Sequence, residues 1–387
     1  MDITGIICEY NPLHLGHKKQ FDIVKSIYPD AGIVCLMSGN YVQRGAPAIV
    51  DKALRAQAAV LCGADLVLEL PVTACLSSAE GFAGEGVRIL GGFCNRLCFG
   101  VESATKDSLL ATANALLSPA FSERLRVELD KGVSFPAARQ AALKLLGSEA
   151  DTLSYPNDIL ATEYCKAIVS QKLPLEPVPI VRNGNYHDTH MDKENPSATA
   201  LRAHMGTDDS WIDYIPPAAQ GVFKNAVFHS LQAGERAILY RLRTMTDAEF
   251  KALPYGSEGL WRKLMHNARK YATLEEILTA TKSKRYTRTR LDRMVMCAFL
   301  GITQTDIDSP APYARVLALN DTGREILKTA RKTGLFPNAG ESVDSPYQDL
   351  EHRAGMVYSL FSAGDCSPCR EEDRRIYYQR RCRDGKN

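Results

Sequence analysis

His14, Gly16 and His17 stand behind an apolar run that opens at Ile6 and passes through Cys8-Glu9-Tyr10-Asn11-Pro12-Leu13. Two histidines three residues apart at the mouth of a helix face the same way. The glycine between them lets a ligand approach the backbone closely. A helix N-terminus offers free N–H groups and partial positive charge, which suits phosphate. Two imidazoles added there could hold α-phosphate oxygens as charge builds during a displacement. A pair of surface histidines would spell the same letters. Placement after a first strand and before a helix favours the phosphate reading.

A second phosphate-facing candidate is Ser197-Ala198-Thr199-Ala200-Leu201-Arg202. Its two hydroxyls at a helix start, with an arginine one turn on, suit the outer phosphates of a chain. Alone it is better read as an N-cap with a solvent-facing arginine; behind the histidine motif it becomes a phosphate candidate. Asn40-Tyr41-Val42-Gln43-Arg44-Gly45 follows the second apolar run and brings polar groups and a cation to the ligand-facing edge. Gly100 sits near the end of a strand, where a missing side chain would admit a base or ribose. Asn157 and Arg182 read as a cap and a surface cation. The segment Lys282-Ser283-Lys284-Arg285-Tyr286-Thr287-Arg288-Thr289-Arg290, with Arg293 beyond, interleaves cations with hydroxyls and one aromatic. That mixture suits a nucleic-acid backbone, or a plain solvated face. A later basic run, Arg374-Arg375 to Arg380-Arg381, reads as a solvated tail or helix.

Two metal-like patterns argue against themselves. Cys366-Ser367-Pro368-Cys369 has zinc-like spacing but no second pair nearby, and Cys382 or His352 could complete it only through the fold. His187-Asp188-Thr189-His190 is better explained as a loop beside the phosphate site. No metal site is assigned.

These residues need elements to hold them. Strands are expected at Thr4–Cys8, Ala31–Met37, Ala64–Leu70 and Arg96–Val101. Between them, helices are expected from His17 to about Ile27, from Asp51 to Cys62 with Gly63 beyond, and from the capping box at Ser77-Ser78-Ala79-Glu80 to Gly91-Gly92. The alternation implies a parallel, doubly wound sheet with ligand at the carboxyl ends of its strands. Residues 105–171 look helical, with Pro136 at N1 of one helix and Asn157 capping another through Lys166. Leu175–Val181 reads as a further strand. Asn195-Pro196 marks a turn, and Ser197 opens a helix. The pattern changes at Asp208, and Pro216-Pro217 marks a boundary. Helices then dominate to about Leu300, with a capping box at Thr273-Leu274-Glu275-Glu276. Tyr313–Leu319 as a strand, Thr322–Lys332 as a helix and Gly340–Val343 as a weak strand suggest a small α/β element. The stretch from Arg370 is highly charged and is expected to fray.

The chain has 387 residues, 45% of them hydrophobic, enough for two or three domains. With a net charge of +2, nucleic-acid binding would need a local basic patch. Its 11 cysteines are scattered and odd in number. No signal peptide is evident, so reduced thiols in a cytoplasmic protein are expected. No apolar run approaches the ~20 residues that span a bilayer.

The His14–His17 motif resembles the HxGH constellation of nucleotidyltransferases and class I tRNA synthetases. Those enzymes direct attack at the α-phosphate of ATP and release pyrophosphate. Ser197 to Arg202 resembles that superfamily's later motif, often Ser-Ser-Thr-x-x-Arg. Ala198 replaces a common serine there, so one hydroxyl is absent. More specifically, Ile6 to Lys19 followed by Ser38-Gly39-Asn40-Tyr41-Val42-Gln43-Arg44-Gly45 resembles the tRNA(Met) cytidine acetate ligase family. Pro156-Asn157-Asp158-Ile159-Leu160, Gly184-Asn185-Tyr186-His187-Asp188, Ser197 to Arg202 and the basic segment near Lys282 continue the likeness over nearly the whole chain.

That resemblance implies an enzyme that activates acetate with ATP to acetyl-adenylate. It then acetylates the exocyclic amine of the wobble cytidine in elongator tRNA(Met), giving N(4)-acetylcytidine. His14 and His17 would be catalytic. The ATP site would comprise Ile7, Cys8, Glu9, Tyr10, Asn11, Pro12, Leu13, His14, Leu15, Gly16, His17, Lys18, Lys19 and Gln20, with Gly100, Asn157 and Arg182, and with Ser197, Thr199 and Arg202 on the outer phosphates. Lys282, Lys284, Arg285, Arg288 and Arg290 would meet tRNA. Mg2+ would rest mostly on phosphate and water, and no general base is identifiable. The expected architecture is α/β: a doubly wound nucleotidyltransferase domain over 1–205 and a mainly helical region over 206–387 that is the candidate tRNA-binding part. An adenylyltransferase acting on a small cofactor precursor is the alternative. A non-catalytic RNA-binding protein with a vestigial nucleotide site is a third, disfavoured by the intact histidines.

Overall fold

The apolar runs of the first hundred residues become strands buried on both faces. This computed structural model describes residues 1–147, 150–182, 197–336, 345–371 and 373–380. Strands β1 (Ile3–Cys8), β2 (Gly32–Ser38), β5 (Leu66–Leu70), β6 (Arg96–Val101) and β7 (Glu176–Val181) form one sheet with β8 (Val316–Asn320) and β9 (Tyr377–Gln379). A small hairpin, β3 (Tyr41–Val42) with β4 (Ala46–Pro47), stands apart. The sheet order is β7-β6-β1-β2-β5-β8-β9. All junctions are parallel except β5 with β8. Every residue of β2 and β5 is buried. Alternate side chains serve opposite faces: Val34 and Leu36 enter one core, while Ile33, Cys35 and Met37 enter the other.

Several boundaries differ from the sequence expectation, each for a local reason. The first helix is Leu15–Ile27, not a helix after His17, because His14 itself is the N-cap. The third long helix, Ala79–Gly91, is capped by Ser78. Ser77 Oγ instead donates to the carbonyl of Thr73, closing an unforeseen short helix, Val72–Cys75. Pro136 is second in the helix Phe135–Leu145. Asn157 lies inside the helix Pro156–Gln171, whose N-cap is Tyr155. The expected late strand begins at Val316, and Asn320 caps the helix Asp321–Ala330. The charged terminal run is not a free tail or helix as far as Gln379. Arg374 makes a two-pronged ion pair with Asp51, and Tyr377–Gln379 adds β9 to the sheet. Asn183, Gly184 to Asp188, His187 to His190, Asn195-Pro196, Gly340 to Val343, Arg381 and Cys382 lie outside the described residues.

The later helices Glu235–Thr244, Leu260–Lys270, Leu274–Thr281, Arg288–Leu300 and Pro346–Tyr358 build a third core. Tyr41 of the hairpin and Val72 and Leu76 share it. Among the described residues, no helix is long and apolar enough to cross a membrane.

Two buried cations tie these parts to the carboxyl ends of the strands. Lys52 reaches Glu69 of β5 at 2.6 Å and Glu371 of the terminal segment at 2.8 Å. Arg55 is fully buried and donates to four carbonyls: Val50 at 2.8 Å, Glu9 at 2.6 Å, Ser38 at 3.1 Å, and Gly39. Glu9 follows β1, and Ser38 and Gly39 close β2, so one guanidinium sets the level at which both strands end. Arg55→Met would leave these acceptors orphaned in the interior, at roughly 1–3 kcal/mol each. Urea unfolding should show a loss of at least about 3 kcal/mol. A midpoint within error of wild type would mean that the carbonyls find other donors.

Candidate functional site

Beyond β1 the chain turns through Tyr10, a non-glycine residue at φ +45°, and a cis Asn11–Pro12 bond, and so delivers His14 to the start of the first helix. The backbone there is held from three sides. The Asn11 side-chain oxygen accepts the N–H of Ile49 at 2.7 Å, and the Asn11 carbonyl accepts Arg202 at 2.7 Å. Glu9 Oε1 accepts the N–H of Gln43 at 2.8 Å.

The two histidines cap the helix reciprocally. The N–H of Gly16 donates to His14 Nδ1 at 3.1 Å, and the N–H of His14 donates to His17 Nδ1 at 3.2 Å. Their rings stack at 3.8 Å, and Tyr10 meets His17 edge-on at 4.9 Å. Because Nδ1 accepts in both rings, the proton of each neutral imidazole is assigned to Nε2, which becomes the donor. Burial pushes the pKa of His14 down to about 3, and the charges of Arg182 and Arg202 add to that. Burial also holds His17 well below the usual histidine range, reinforced by His14 and Arg182. The pair therefore presents two neutral N–H donors in a field made positive by two arginines.

Around them opens a cleft of about 920 Å³ at the carboxyl ends of β1 and β6. It is lined by Ile7, Cys8, Glu9, Tyr10, Asn11, His14, Gly16, His17, Lys19 and Gln20. Gly100, Asn157, Arg182, Ser197, Thr199 and Arg202 also line it. Four expected residues do not. Leu13 is fully buried in the core and Pro12 is buried beside it. Leu15 is outside the lining, and Lys18 pairs with Asp22 on the helix's outer side. A helix shows only part of its circumference to any one ligand, so a contiguous motif cannot line a cleft throughout.

Gly100 also meets a protein neighbour that the sequence did not indicate. A Cβ there would fall 2.7 Å from Arg182 Cδ, so the missing side chain leaves room for the arginine stem. Asn157 donates its side-chain amide to Glu102 Oε1 at 2.7 Å, and the backbone N–H of Asp158 meets Glu102 at 3.0 Å. Asp158 in turn accepts the N–H of Glu102 at 2.8 Å. This exchange fixes the wall of the cleft beside β6. Ser197 caps its helix without a side-chain bond, and Thr199 Oγ1 accepts Arg202 at 3.1 Å.

Sequence reasoning missed a further part of the lining, Phe228 to Gln232 with Ala363. Within it the His229 ring stacks on Tyr358 at 4.0 Å, and burial lowers its pKa. These residues approach His14 only through the fold, so no local spacing marks them. Arg55 did leave a signal: it shares the apolar face of its helix with Ala56, Ala59 and Val60, where an arginine is out of place.

The basic segment lies at the start of the helix Arg288–Leu300, and its arginines have local partners. Arg285 pairs with Glu258 at 2.8 Å, Arg288 with Glu275 at 2.7 Å and Asp292 at 2.8 Å, and Arg290 donates to the Tyr255 carbonyl at 2.7 Å. Lys282 and Lys284 are exposed. Among the described residues, no group of three His, Cys, Asp or Glu side chains is placed to hold a metal ion. The cleft carboxylates Glu9 and Glu102 each accept backbone N–H groups, and among the described residues no third such ligand joins them to hold Mg2+. Cys369 Sγ lies 3.9 Å from Asp51, and Cys366 is exposed.

The depressed histidines carry a sign for stability. Unfolded, His14 takes up its proton near 6.5; folded, only near 3. The unfolded state binds more protons between those values, so this contribution is intact above about pH 6.5 and is lost as pH falls toward 3. His14→Asn, which keeps a capping acceptor, should flatten the fall in unfolding temperature between about pH 6.5 and 4. Parallel curves for variant and wild type would overturn this.

Comparison with known proteins places these features in context. The sequence profile of the HIGH Nucleotidyl Transferase family matches residues 1–373. A protein of Clostridium novyi (strain NT) named tRNA(Met) cytidine acetate ligase is 36% identical over 364 residues, covering 87% of this chain and 89% of its own. Its namesake in Clostridium perfringens (strain ATCC 13124) is 36% identical over 386 residues, covering 94% of this chain and 96% of its own. The crystal structure of apo Thermotoga maritima TmcAL superposes with a TM-score of 0.90 at 27% identity, over 98% of this chain and 100% of that one. TmcAL bound with alpha-thio ATP superposes with a TM-score of 0.87 over the same shares.

Proposed function

The chain belongs to the tRNA(Met) cytidine acetate ligase family of HIGH nucleotidyl transferases, and from that premise we propose that it activates acetate with ATP and acetylates the wobble cytidine of elongator tRNA(Met). The observation that carries this reading is the His14–His17 pair, locked as neutral Nε2–H donors in a cleft large enough for a nucleotide.

In the first half-reaction an acetate oxygen attacks the α-phosphorus. The new P–O bond forms as the bond to pyrophosphate breaks. His14 and His17 donate to the non-bridging oxygens, where charge grows. Donors fixed beforehand by their own capping bonds need not reorganise as that charge develops. Arg182 and Arg202 supply the positive field, and Arg202, Ser197 and Thr199, which line the same cleft, would take the outer phosphates. Mg2+ fits as a companion of the triphosphate, offsetting its charge. In the second half-reaction the cytidine amine attacks the acetyl carbonyl carbon. The bond to AMP breaks, the amine loses a proton, and acetylated tRNA results. A cytoplasmic location follows from this substrate.

The test separates the halves. Wild-type protein given ATP, labelled acetate and tRNA(Met) should place label in that RNA and not in other tRNAs. His14→Ala and His17→Ala should each cut acetate-dependent pyrophosphate exchange by ~10²–10³-fold with the fold retained. Normal exchange in both variants would remove the histidines from the mechanism. Exchange supported by a small cofactor precursor instead of acetate would favour the adenylyltransferase alternative.

A further inference from the structure

The helix Leu260–Lys270 contains no acidic residue and places five basic ones on its outside. Arg262, Lys263, His266, Arg269 and Lys270 recur at intervals of one, three, three and one, which at 100° per residue confines them to an arc of about 120°. Leu260, Leu264, Asn267 and Ala268 fill the opposite face and are buried. Arg262, Lys263, His266, Arg269 and Lys270 are all exposed.

The cations of this arc differ in partnership from those of the segment Lys282 to Arg290. Arg269 pairs with Asp247 at 3.0 Å, but Arg262, Lys263 and Lys270 make no ion pair with any described residue. Lys263 Nζ instead donates to the carbonyl of Lys282 at 3.3 Å, which makes the arc continuous with exposed Lys282 and Lys284. Aromatic rings lie beneath two of the cations: Arg262 sits 5.0 Å from the Trp261 ring centre, and Lys270 sits 5.3 Å from that of Tyr271. Arg285, Arg288 and Arg290, by contrast, fasten their segment to Glu258, Glu275 and Tyr255. A charge already matched by a carboxylate adds little to the attraction for phosphate, whereas an unmatched surface cation releases a counterion on binding.

We infer that the solvent face of the helix Leu260–Lys270, continued by Lys282 and Lys284, is the principal surface on which the tRNA backbone docks. This rests on the reading of the chain as a tRNA-modifying enzyme. Contacts to phosphate position the nucleic acid without reading its sequence. The surface therefore sets affinity, while selection of the cytidine belongs to the cleft.

The experiment uses the full chain with tRNA(Met) and the triple variant Arg262→Gln, Lys263→Gln, Lys270→Gln. Acetate-dependent pyrophosphate exchange needs no tRNA and should match wild type, which also certifies the fold. The tRNA KM should rise at least ~10-fold, with kcat recovered at saturating tRNA, and the slope of log K against log salt should flatten by about two to three. The double variant Arg285→Gln, Arg288→Gln should change that slope by less. An unchanged KM and slope in the triple variant, or a larger slope change in the double variant, would overturn the inference. Wild-type protein that binds tRNA with the full slope yet transfers no acetyl group would sink the functional reading and leave the docking surface standing.

Discussion

The buried guanidinium of Arg55 is the constraint around which the site is built. A charge in the interior is tolerated only where its donors are met. Among the described residues no carboxylate bonds Arg55; its donors are met by four backbone carbonyls. Three of these come from the ends of strands: Ser38 is the last residue of β2, and Glu9 and Gly39 lie just beyond β1 and β2. The same arrangement thus satisfies the arginine and the strand ends together. It also fixes the point from which the chain departs toward His14. Lys52, one helical turn earlier, performs a related task with carboxylates, joining β5 to the terminal segment through Glu69 and Glu371. One short helix thereby holds the sheet's active edge from beneath.

From that anchored edge to the histidines the backbone has little freedom. Glu9 is held at its carbonyl by Arg55 and at its side chain by Gln43. Asn11 holds Ile49 with its side chain and Arg202 with its carbonyl. His14 and His17 then close on one another's backbone. The arrangement favours neutral imidazoles twice over, since burial opposes their protonation and the neighbouring arginines repel a further positive charge. Polyanion recognition here is divided: arginines provide the charge, while the histidines provide directed N–H groups with a fixed tautomer. A preorganised dipole of this kind loses nothing to proton exchange with solvent during the reaction.

The parts of the fold legible in the sequence were those written locally. The strands β1, β2, β5 and β6 and the cap at Asp51 follow from apolar period, capping residues and a trailing glycine, and the structure places them within two residues. His14, Gly16 and His17 were legible because their geometry is set within one helical turn. The joining of β8 and β9 to the same sheet was not, because it pairs Leu66 with Leu319 and Leu319 with Tyr378, and no window spans such separations. Residues 228–232 escaped for the same reason. Asn157 and Gly100 were flagged from sequence and both line the cleft, but their protein neighbours were not legible. Those neighbours, Glu102 and Arg182, are ones that only tertiary contact reveals.

Among the contacts between the later helices and the cleft, one at the hairpin is especially close. Gly45, at φ +77°, lies so near the helix Arg288–Leu300 that a Cβ on it would fall 2.4 Å from the backbone nitrogen of Arg293. Arg293 in turn reaches the Gln43 carbonyl at 3.4 Å, and Tyr41 of the same hairpin belongs to the helical core. Gln43 and Arg44 line the cleft, and Gln43 holds Glu9. The hairpin is thus seated on the helical half by its turn and on the nucleotide edge by its polar side. A side chain at position 45 would push the two apart, since the obstacle is backbone and cannot swing aside. The glycine's freedom at positive φ matters less than its lack of bulk: the hairpin can serve both halves only because nothing stands between its turn and the helix.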